Sequence, residues 1–214
     1  MKRIILIRPG ETDWNRLGRW QGQVAIPLNQ HGRLQARRLA DFVQLAGVGA
    51  LYSSDLRRAR DTAEIISARL GIQPIYDVRL RERHMGDWQG MTLAEIQSWC
   101  PEEYEKLVKN PDGFQIPGGE SRRQVAKRTR AAFDDILARG GAETIGVISH
   151  TTAFRTLLAD LIAGTDPYAL RFANMSVTTL TRDKAGHWTI SQLNDVSHLE
   201  GIDAMDFPEV ERKS

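Results

Sequence analysis

The amino-acid sequence predicts an α/β fold, a three-layer α/β/α sandwich whose sheet is mostly parallel with an antiparallel edge strand. Two observations predict it. Short apolar runs alternate with segments of helical periodicity, which is typical of a parallel sheet covered by helices on both faces. Near its end the chain changes to a hairpin pattern, with strands at 176–181 and 187–193 joined by a turn at 183–186.

The composition predicts one globular domain over residues 1–214. Hydrophobic residues make up 41% of the chain, enough for an ordinary core, while the net charge of +2 is too small to indicate nucleic-acid binding. The sequence contains no run of 18 apolar residues, so no membrane span is predicted, and no signal peptide is recognisable. Cys100 is the single cysteine, which excludes a disulfide framework and is typical of a reducing cytoplasm, the location we expect.

The first elements follow from apolar runs and breaker residues. Residues 4–7 are continuously apolar, as in a strand buried on both faces. Residues 9–29, rich in Gly, Asn, Gln and Trp, predict a long loop, and loops of that length are more often functional than not. Helical periodicity predicts a helix over 31–46, which glycines then end.

A second strand and a capped helix come next. Residues 50–53 have the length and polarity of a strand. A helix over 56–70 follows, with Ser54 or Asp55 placed to cap its N-terminus and Gly71 to close its C-terminus.

The remaining chain predicts one irregular segment and several further elements. Ser121 and Gln124 form the sequence pattern of a capping box, which starts a helix. The expected ranges are an irregular segment at 75–90, helices at 92–99, 102–109, 121–138 and 151–162, and a buried strand at 145–150.

Polar residues follow three of the predicted strands. Arg8 ends the first strand, Ser53 and Ser54 end the second, and Ser149 and His150 end the strand at 145–150. Because ligands of such sheets bind outside the carboxyl ends of the strands, these side chains are expected to converge on one pocket.

Arginines in this pattern indicate an anion site. Arg57, Arg58 and Arg60 occupy the first turns of a predicted helix, where the macrodipole disfavours positive charge and a compensating anion is needed. Arg8 carries the planar guanidinium that suits phosphate.

Several ordered motifs resemble the histidine phosphatase superfamily, also called the phosphoglycerate mutase-like family. They are Arg-Pro-Gly-Glu-Thr from Arg8, Trp-Asn followed by Gln-Gly in the loop after it, Ser-Ser-Asp-Leu-Arg-Arg from Ser53, Leu-Arg-Glu from Leu80, and Ser-His at 149–150. The resemblance covers about residues 2–199, leaves 200–214 as a C-terminal tail, and is closest to the small phosphatase branch.

The resemblance implies a role for each matched residue. Arg8 and Arg58 are expected to bind phosphate, Asn15 and Gln21 to line the substrate pocket, and Glu82 to donate a proton to the leaving oxygen. His150 is expected to hydrogen-bond the transferring phosphoryl group, beside Thr151 where the family usually has Gly. Pro9 occupies the position of the nucleophilic histidine, and proline offers no nucleophilic atom and no backbone N–H.

The resemblance leaves three functions open. The first is hydrolysis of small phosphomonoesters by another route, with His150 as nucleophile or Glu82 activating water. The second is a catalytically dead protein that still binds phosphoesters, and the third is a vestigial pocket on a protein that works through a partner surface. Phosphoglycerate mutase-type transfer is a further alternative, and selectivity is expected from loops around 84–120.

Other phosphatase chemistries lack their residues, since Cys100 is followed six positions later by Lys106 rather than by arginine. We expect no metal and no cofactor, a small phosphorylated metabolite or inorganic phosphate as ligand, no nucleic-acid or membrane partner, and leave a homodimer open.

Overall fold

A computed structural model of the chain describes residues 2–202. Six strands form one sheet in the order β3-β2-β4-β1-β5-β6. The strands are β1 (Arg3–Ile7), β2 (Ala50–Ser53), β3 (Ile75–Tyr76), β4 (Thr144–Ile148), β5 (Val177–Arg182) and β6 (Trp188–Asp195). The helices are α1 (Asp13–Arg16), α2 (Gln30–Leu45), α3 (Arg57–Leu70), α4 (Leu93–Trp99), α5 (Pro101–Lys109), α6 (Arg122–Arg139) and α7 (Thr151–Leu161).

The sheet confirms the predicted fold class. Strands β1 to β4 pair in parallel, whereas β5 runs antiparallel to β1 and pairs with β6. The reversed strand is therefore β5, one place inside the edge, and the edge strand β6 runs in the same direction as β1.

Alternation along β1 separates the two cores. Ile5 and Ile7 pack with helices α2 and α3 on one face, and Ile4 and Leu6 pack with α6 and α7 on the other. Successive side chains of a strand point to opposite faces, so a continuous apolar run is what a doubly covered strand requires. This burial fixes β1 in the middle layer and places its carboxyl end at the rim of the sheet.

A third apolar cluster lies in the part of the chain between α3 and α6, apart from the two cores of the sheet. Met85, Trp88, Ile96 and Ile116 form it, and Trp88 contacts the rings of neighbouring aromatic residues. The predicted helices at 92–99 and 102–109 belong to this cluster as α4 and α5. The cluster supports one wall of the region above the strand ends.

The structure differs from the sequence prediction at several element ends. The predicted loop at 9–29 contains the short helix α1, which Thr12 and Asn15 close with a capping box. The irregular segment at 75–90 contains β3 and two 3-10 turns, Val78–Leu80 and Gly86–Trp88. The strand predicted to reach His150 ends at Ile148, so Ser149 and His150 lie in the turn before α7.

The predicted cap of α3 is wrong. Leu56 precedes the helix and no side chain caps it; the Ser54 hydroxyl accepts from the backbone N–H of Leu56 instead. The carboxylate of Asp55 turns away to Arg81, at 2.7 Å from its Nε. By contrast, Gly71 ends α3 with a left-handed φ of 69°, as predicted.

No helix in the described residues is long and apolar enough to span a membrane. Within 2–202, no three His, Cys, Asp or Glu side chains are grouped so that they could hold a metal ion.

Candidate functional site

A small cleft of about 140 Å³ opens at the carboxyl ends of the central strands. The parallel order of β2, β4 and β1 brings the residues after each strand to the same edge. All seven site residues named from the sequence line this cleft: Arg8, Pro9, Asn15, Gln21, Arg58, Glu82 and His150. Of the residues expected to converge from the strand ends, Arg8 and His150 line the cleft, whereas Ser53, Ser54 and Ser149 are fully buried and do not. The chemical roles of the lining residues remain predictions.

Arg8 and Pro9 leave β1 into the cleft. The Arg8 backbone N–H donates to Ser176 at 3.2 Å, and its guanidinium donates to the carbonyl of Phe172. Pro9 comes next in the chain. Its carbonyl accepts from the Met175 N–H at 3.3 Å and from the Asn174 side-chain amide at 3.2 Å. The N–H that proline lacks lies beyond the ladder, so the strand keeps its pairing.

Two glycines fix the path of the chain after Pro9. A Cβ on Gly10 would lie 2.7 Å from the carbonyl oxygen of Gly32, and one on Gly32 would lie 2.2 Å from that of Glu11. Neither position has room for a side chain, because the backbone of the loop rests directly on the start of α2. The entry to the cleft is thereby held against a rigid helix.

Arg58 is the arginine of α3 that faces the cleft. Its Nη2 donates to the carbonyl of Gly22 at 2.9 Å and lies 3.2 Å from His150 Nδ1. Arg57 instead pairs with Asp61 at 2.7 Å, and Arg60 stacks on the ring of Tyr76 at 4.2 Å. Of the three arginines predicted to need an anion, Arg58 alone is buried without a carboxylate partner among the described residues.

Burial changes the protonation of this cleft. Removal from water lowers the pKa of Arg8 to about 10 and that of Arg58 to about 10, and Glu82 opposes both shifts. Both guanidinium groups still carry a full charge at neutral pH. Two positive charges therefore face one small cavity.

His150 is buried between Arg58 and Ser54. Burial, followed by Arg58, Arg128 and Arg8, lowers the pKa of His150 well below its ordinary value, so the ring is neutral at pH 7. A guanidinium only donates, so Nδ1 accepts from Arg58 and the proton lies on Nε2, 3.0 Å from the Ser54 hydroxyl. Neither ring nitrogen is left free as a nucleophile.

The carboxylate of Glu82 is held by the start of α7. It accepts from the backbone N–H of Thr152 at 3.2 Å and from that of Arg83 at 2.7 Å. His150 precedes α7 without a side-chain cap of its own, so Glu82 supplies an acceptor for the helix N-terminus. Arg128 fixes the backbone below, donating to the Glu82 carbonyl at 2.9 Å.

Two amide side chains, those of Asn15 and Gln21, also line the cleft. Asn15 uses its Oδ1 to accept from Thr12 at 3.0 Å and from Asn174 at 3.2 Å, which leaves its amide N–H groups for the cleft. Gln21 has a buried Oε1 without a hydrogen-bond partner among the described residues. Such an unsatisfied acceptor is costly, and a ligand hydroxyl would relieve it.

Sequence reasoning assigned no role to two lining residues, Asn174 and Arg19. Asn174 precedes β5, beside Met175, whose φ of 57° is in the left-handed region. Arg19 lies in the loop between Asn15 and Gln21 and lines the cleft while donating to Glu95 at 3.2 Å. Thr151, which stands where the family usually has Gly, lines the cleft next to His150.

The arrangement suits a small tetrahedral anion. Three arginines line the cavity, of which Arg19 pairs with Glu95 while Arg8 and Arg58 have no carboxylate partner among the described residues. Guanidinium groups and amide N–H groups bind phosphate strongly and with defined geometry. Glu82 is the sole carboxylate among the lining residues. Pro9 has no nucleophilic side-chain atom, and both ring nitrogens of His150 are engaged by Arg58 and Ser54.

Comparison with known proteins agrees with this geometry. The histidine phosphatase superfamily (branch 1) matches residues 4–196. Phosphoglycerate mutase-like protein 4 of Arabidopsis thaliana is 36% identical over 200 residues, covering 92% of this chain and 86% of that protein.

Two solved structures are also similar. The mycobacterial glucosyl-3-phosphoglycerate phosphatase with inorganic phosphate has a TM-score of 0.80 at 33% identity, over 92% of this chain and 99% of the other. A histidine-to-alanine mutant of the phosphoserine phosphatase of Entamoeba histolytica, in complex with phosphoserine, has a TM-score of 0.82 at 28% identity, over 93% of this chain and all of the other, 100%.

Proposed function

The chain belongs to the histidine phosphatase superfamily, and from this premise we propose that it binds small phosphomonoesters and inorganic phosphate in the cleft without efficient covalent turnover. The proposal is supported by two observations: the residues that the resemblance assigns to phosphate binding line one cleft, and the sequence has proline at the position that the resemblance assigns to the nucleophile. The proposal therefore separates two properties that the family's enzymes combine, recognition of the phosphoryl group and its transfer to a side chain.

One observation carries the binding proposal. Arg8 and Arg58 face the cleft and are bonded to carbonyl oxygens, with no carboxylate bonded to either in the described residues. Burying guanidinium groups without a counter-ion costs free energy, which a bound phosphate dianion would offset. Similar proteins support this reading, since one is known with inorganic phosphate and a histidine-to-alanine mutant of another with phosphoserine.

Pro9 carries the second half of the proposal. Covalent transfer requires a nucleophilic atom in line with the phosphoryl group, and a pyrrolidine ring has none. His150 is a poor substitute, because Arg58 occupies its Nδ1 and its Nε2 carries the proton toward Ser54. Mutase-type transfer through a phosphorylated side chain is disfavoured for the same reason.

Slow hydrolysis by water is the second candidate function. Glu82 is the single carboxylate lining the cleft, and the N–H of Thr152 holds it in a fixed position. Such a group can orient a water molecule toward a phosphoryl group stabilised by Arg8 and Arg58. Under this reading, Glu82→Gln abolishes the residual activity of the native chain.

The binding proposal is tested by calorimetric titration of the native chain with inorganic phosphate at low ionic strength. We expect saturable binding at one site, weakened in Arg8→Met. Arg130→Met is the matched control, because Arg130 lies outside the cleft and pairs with Asp134 and Asp160. Absence of phosphate binding by the native chain would sink the proposal.

The turnover proposal is tested by hydrolysis of p-nitrophenyl phosphate by the native chain, Pro9→His and Pro9→Ala. We expect Pro9→His to exceed the native rate by about a thousandfold or more, since a removed covalent nucleophile costs several powers of ten. Pro9→Ala should stay near the native rate. A native chain as active as Pro9→His would refute the requirement for histidine at this position.

A further inference from the structure

Thr151 is a second position, after Pro9, at which the cleft departs from the family's pattern. It lines the cleft as the first residue of α7, where the family usually has Gly. Proline at position 9 offers no hydrogen-bonding group, whereas the hydroxyl of Thr151 can both donate and accept. Thr151 therefore brings to the cleft a donor that a glycine at this position lacks.

In the described part of the chain, the hydroxyl of Thr151 has no partner within the protein. Threonine hydroxyls inside a helix commonly bond to the carbonyl one turn earlier, as Thr156 does to Thr152 at 3.0 Å. Four residues before Thr151 lies Val147, which belongs to β4, so no helical carbonyl is available. No hydrogen bond joins this hydroxyl to another described residue. Its proton is therefore available to a ligand in the cleft.

The surroundings of Thr151 favour an anion. Thr151 begins a helix of 11 residues, and the positive end of the macrodipole lies at its N-terminus. Glu82 does not engage the hydroxyl, because its two carboxylate oxygens accept from the backbone N–H of Thr152 at 3.2 and 3.3 Å. Arg8, Arg58 and Thr151 all line a cavity of about 140 Å³, which is small enough for one tetrahedral anion to contact all three.

We infer that the Thr151 hydroxyl donates a hydrogen bond to an oxygen of the phosphoryl group held by Arg8 and Arg58. Thr151 is then a phosphate-binding residue of this chain, and its donor offsets part of the binding that proline at position 9 cannot supply. This inference rests on the proposed function, because phosphate must occupy the cleft for the bond to form.

Crowding of the cleft is the opposite role for the same side chain. A β-branched residue fills space that a glycine leaves open, and on that account alone it weakens phosphate binding. The two roles predict opposite effects when the side chain is removed. Variants at this one position therefore separate the donor role from the crowding role.

Calorimetric titration with inorganic phosphate compares the native full-length chain with three variants of Thr151. Thr151→Val keeps the branched shape and removes the hydroxyl, so we expect about tenfold weaker binding. Thr151→Ser keeps the hydroxyl and should stay within about threefold of the native affinity. Thr151→Gly removes the hydroxyl and the bulk together, and should weaken binding about as much as Thr151→Val.

Thr156→Val is the matched control. Thr156 lies in the same helix, its hydroxyl bonds within α7, and it is outside the cleft lining, so phosphate affinity should stay within about twofold of native. Urea denaturation without phosphate shows whether the variants fold. Thr151→Val should be as stable as the native chain, because it removes no hydrogen bond within the protein. A destabilised Thr151→Val would reveal an internal partner of the hydroxyl and overturn the inference.

Four results of the titrations also overturn it. Thr151→Val binds phosphate as tightly as the native chain, or Thr151→Ser loses as much affinity as Thr151→Val, or Thr156→Val loses as much, or Thr151→Gly binds more tightly than native, which assigns Thr151 to crowding. In each of these cases the native chain still binds phosphate, so the proposed function survives. A native chain that binds no phosphate at all overturns both proposals together.

Discussion

Arginines outside the cleft differ in their partners from Arg8 and Arg58 within it. Outside the cleft, Arg57 pairs with Asp61 at 2.7 Å and Arg81 pairs with Asp55 at 2.7 Å. Within the cleft, Arg58 and Arg8 bond only to carbonyls and to His150 in the described structure. The carboxylates raise the pKa of Arg57 and of Arg81, whereas burial lowers the pKa of Arg8 and of Arg58 to about 10.

This difference separates arginines that stabilise the fold from those available to a ligand. The charge of a paired guanidinium is neutralised by a carboxylate within the protein. A guanidinium that is buried without such a partner carries a desolvation cost, which a bound anion offsets. In an arginine-rich chain, the partner therefore says more about function than the residue type does.

The largest expected effect comes from removing an arginine that has no carboxylate partner, compared with removing one that has. Arg58→Met should weaken phosphate binding by about a hundredfold, because it removes a charged donor from the cleft. Arg57→Met, one residue away, should change it by no more than about twofold, since this side chain faces solvent and Asp61. Calorimetric titration with inorganic phosphate measures both. Equal losses in the two variants would erase the distinction between them.

The paired side of the comparison predicts a stability effect. Asp61 is 4% exposed and accepts from the Leu28 N–H at 3.2 Å as well as from Arg33 and Arg57. Asp61→Ala should lower the free energy of unfolding by about 2 kcal/mol, because it leaves a buried N–H unpaired.

Urea denaturation of Asp61→Ala and of a matched variant measures this loss. Asp134→Ala breaks an exposed pair with Arg130 and should cost less than about 0.5 kcal/mol. Phosphate affinity should change little in both variants. An Asp61→Ala chain as stable as native would show that the buried pair contributes nothing.

The smallest expected effect is the pH dependence of the free energy of unfolding that His150 contributes beside Arg58. His150 has its pKa depressed below the ordinary value of 6.5, so below that pH the unfolded chain takes up a proton that the folded chain refuses. The free energy of unfolding should therefore fall as pH drops from about 6.5, by at most about 1.4 kcal/mol per pH unit.

Chemical denaturation between pH 7 and pH 5 checks this slope. His150→Gln should flatten it, while His187→Gln, at an exposed position in the hairpin, should leave it unchanged. Saturating phosphate should also reduce the slope, because an anion beside His150 favours its protonated form. A slope that is identical in His150→Gln and in the native chain would contradict the assignment.

Sequence patterns predicted the features that depend on local rules. Apolar runs located the strands, the Ser121 capping box located α6, and the carboxyl ends of parallel strands brought Arg8 and His150 to one cleft. These successes follow from periodicity and from the geometry of parallel sheets, which few alternative packings can change.

Features that depend on tertiary contact could not be predicted. Ser54 and Asp55 had the composition of a helix cap, but Arg81 from a distant segment took the carboxylate. Arg57 and Arg58 are neighbours in the sequence, and their different partners, Asp61 for the first and the cleft for the second, are visible only in the packed structure.

Pro9 has a consequence for how this protein can change. Its backbone is held through its carbonyl by Met175 and Asn174, and the missing N–H has no place in the strand ladder. Exchange of the residue at position 9 therefore breaks no backbone hydrogen bond. Proline and histidine codons can differ by a single base, so under the function proposed above one mutational step is enough to gain or lose covalent chemistry while the ligand-binding site persists.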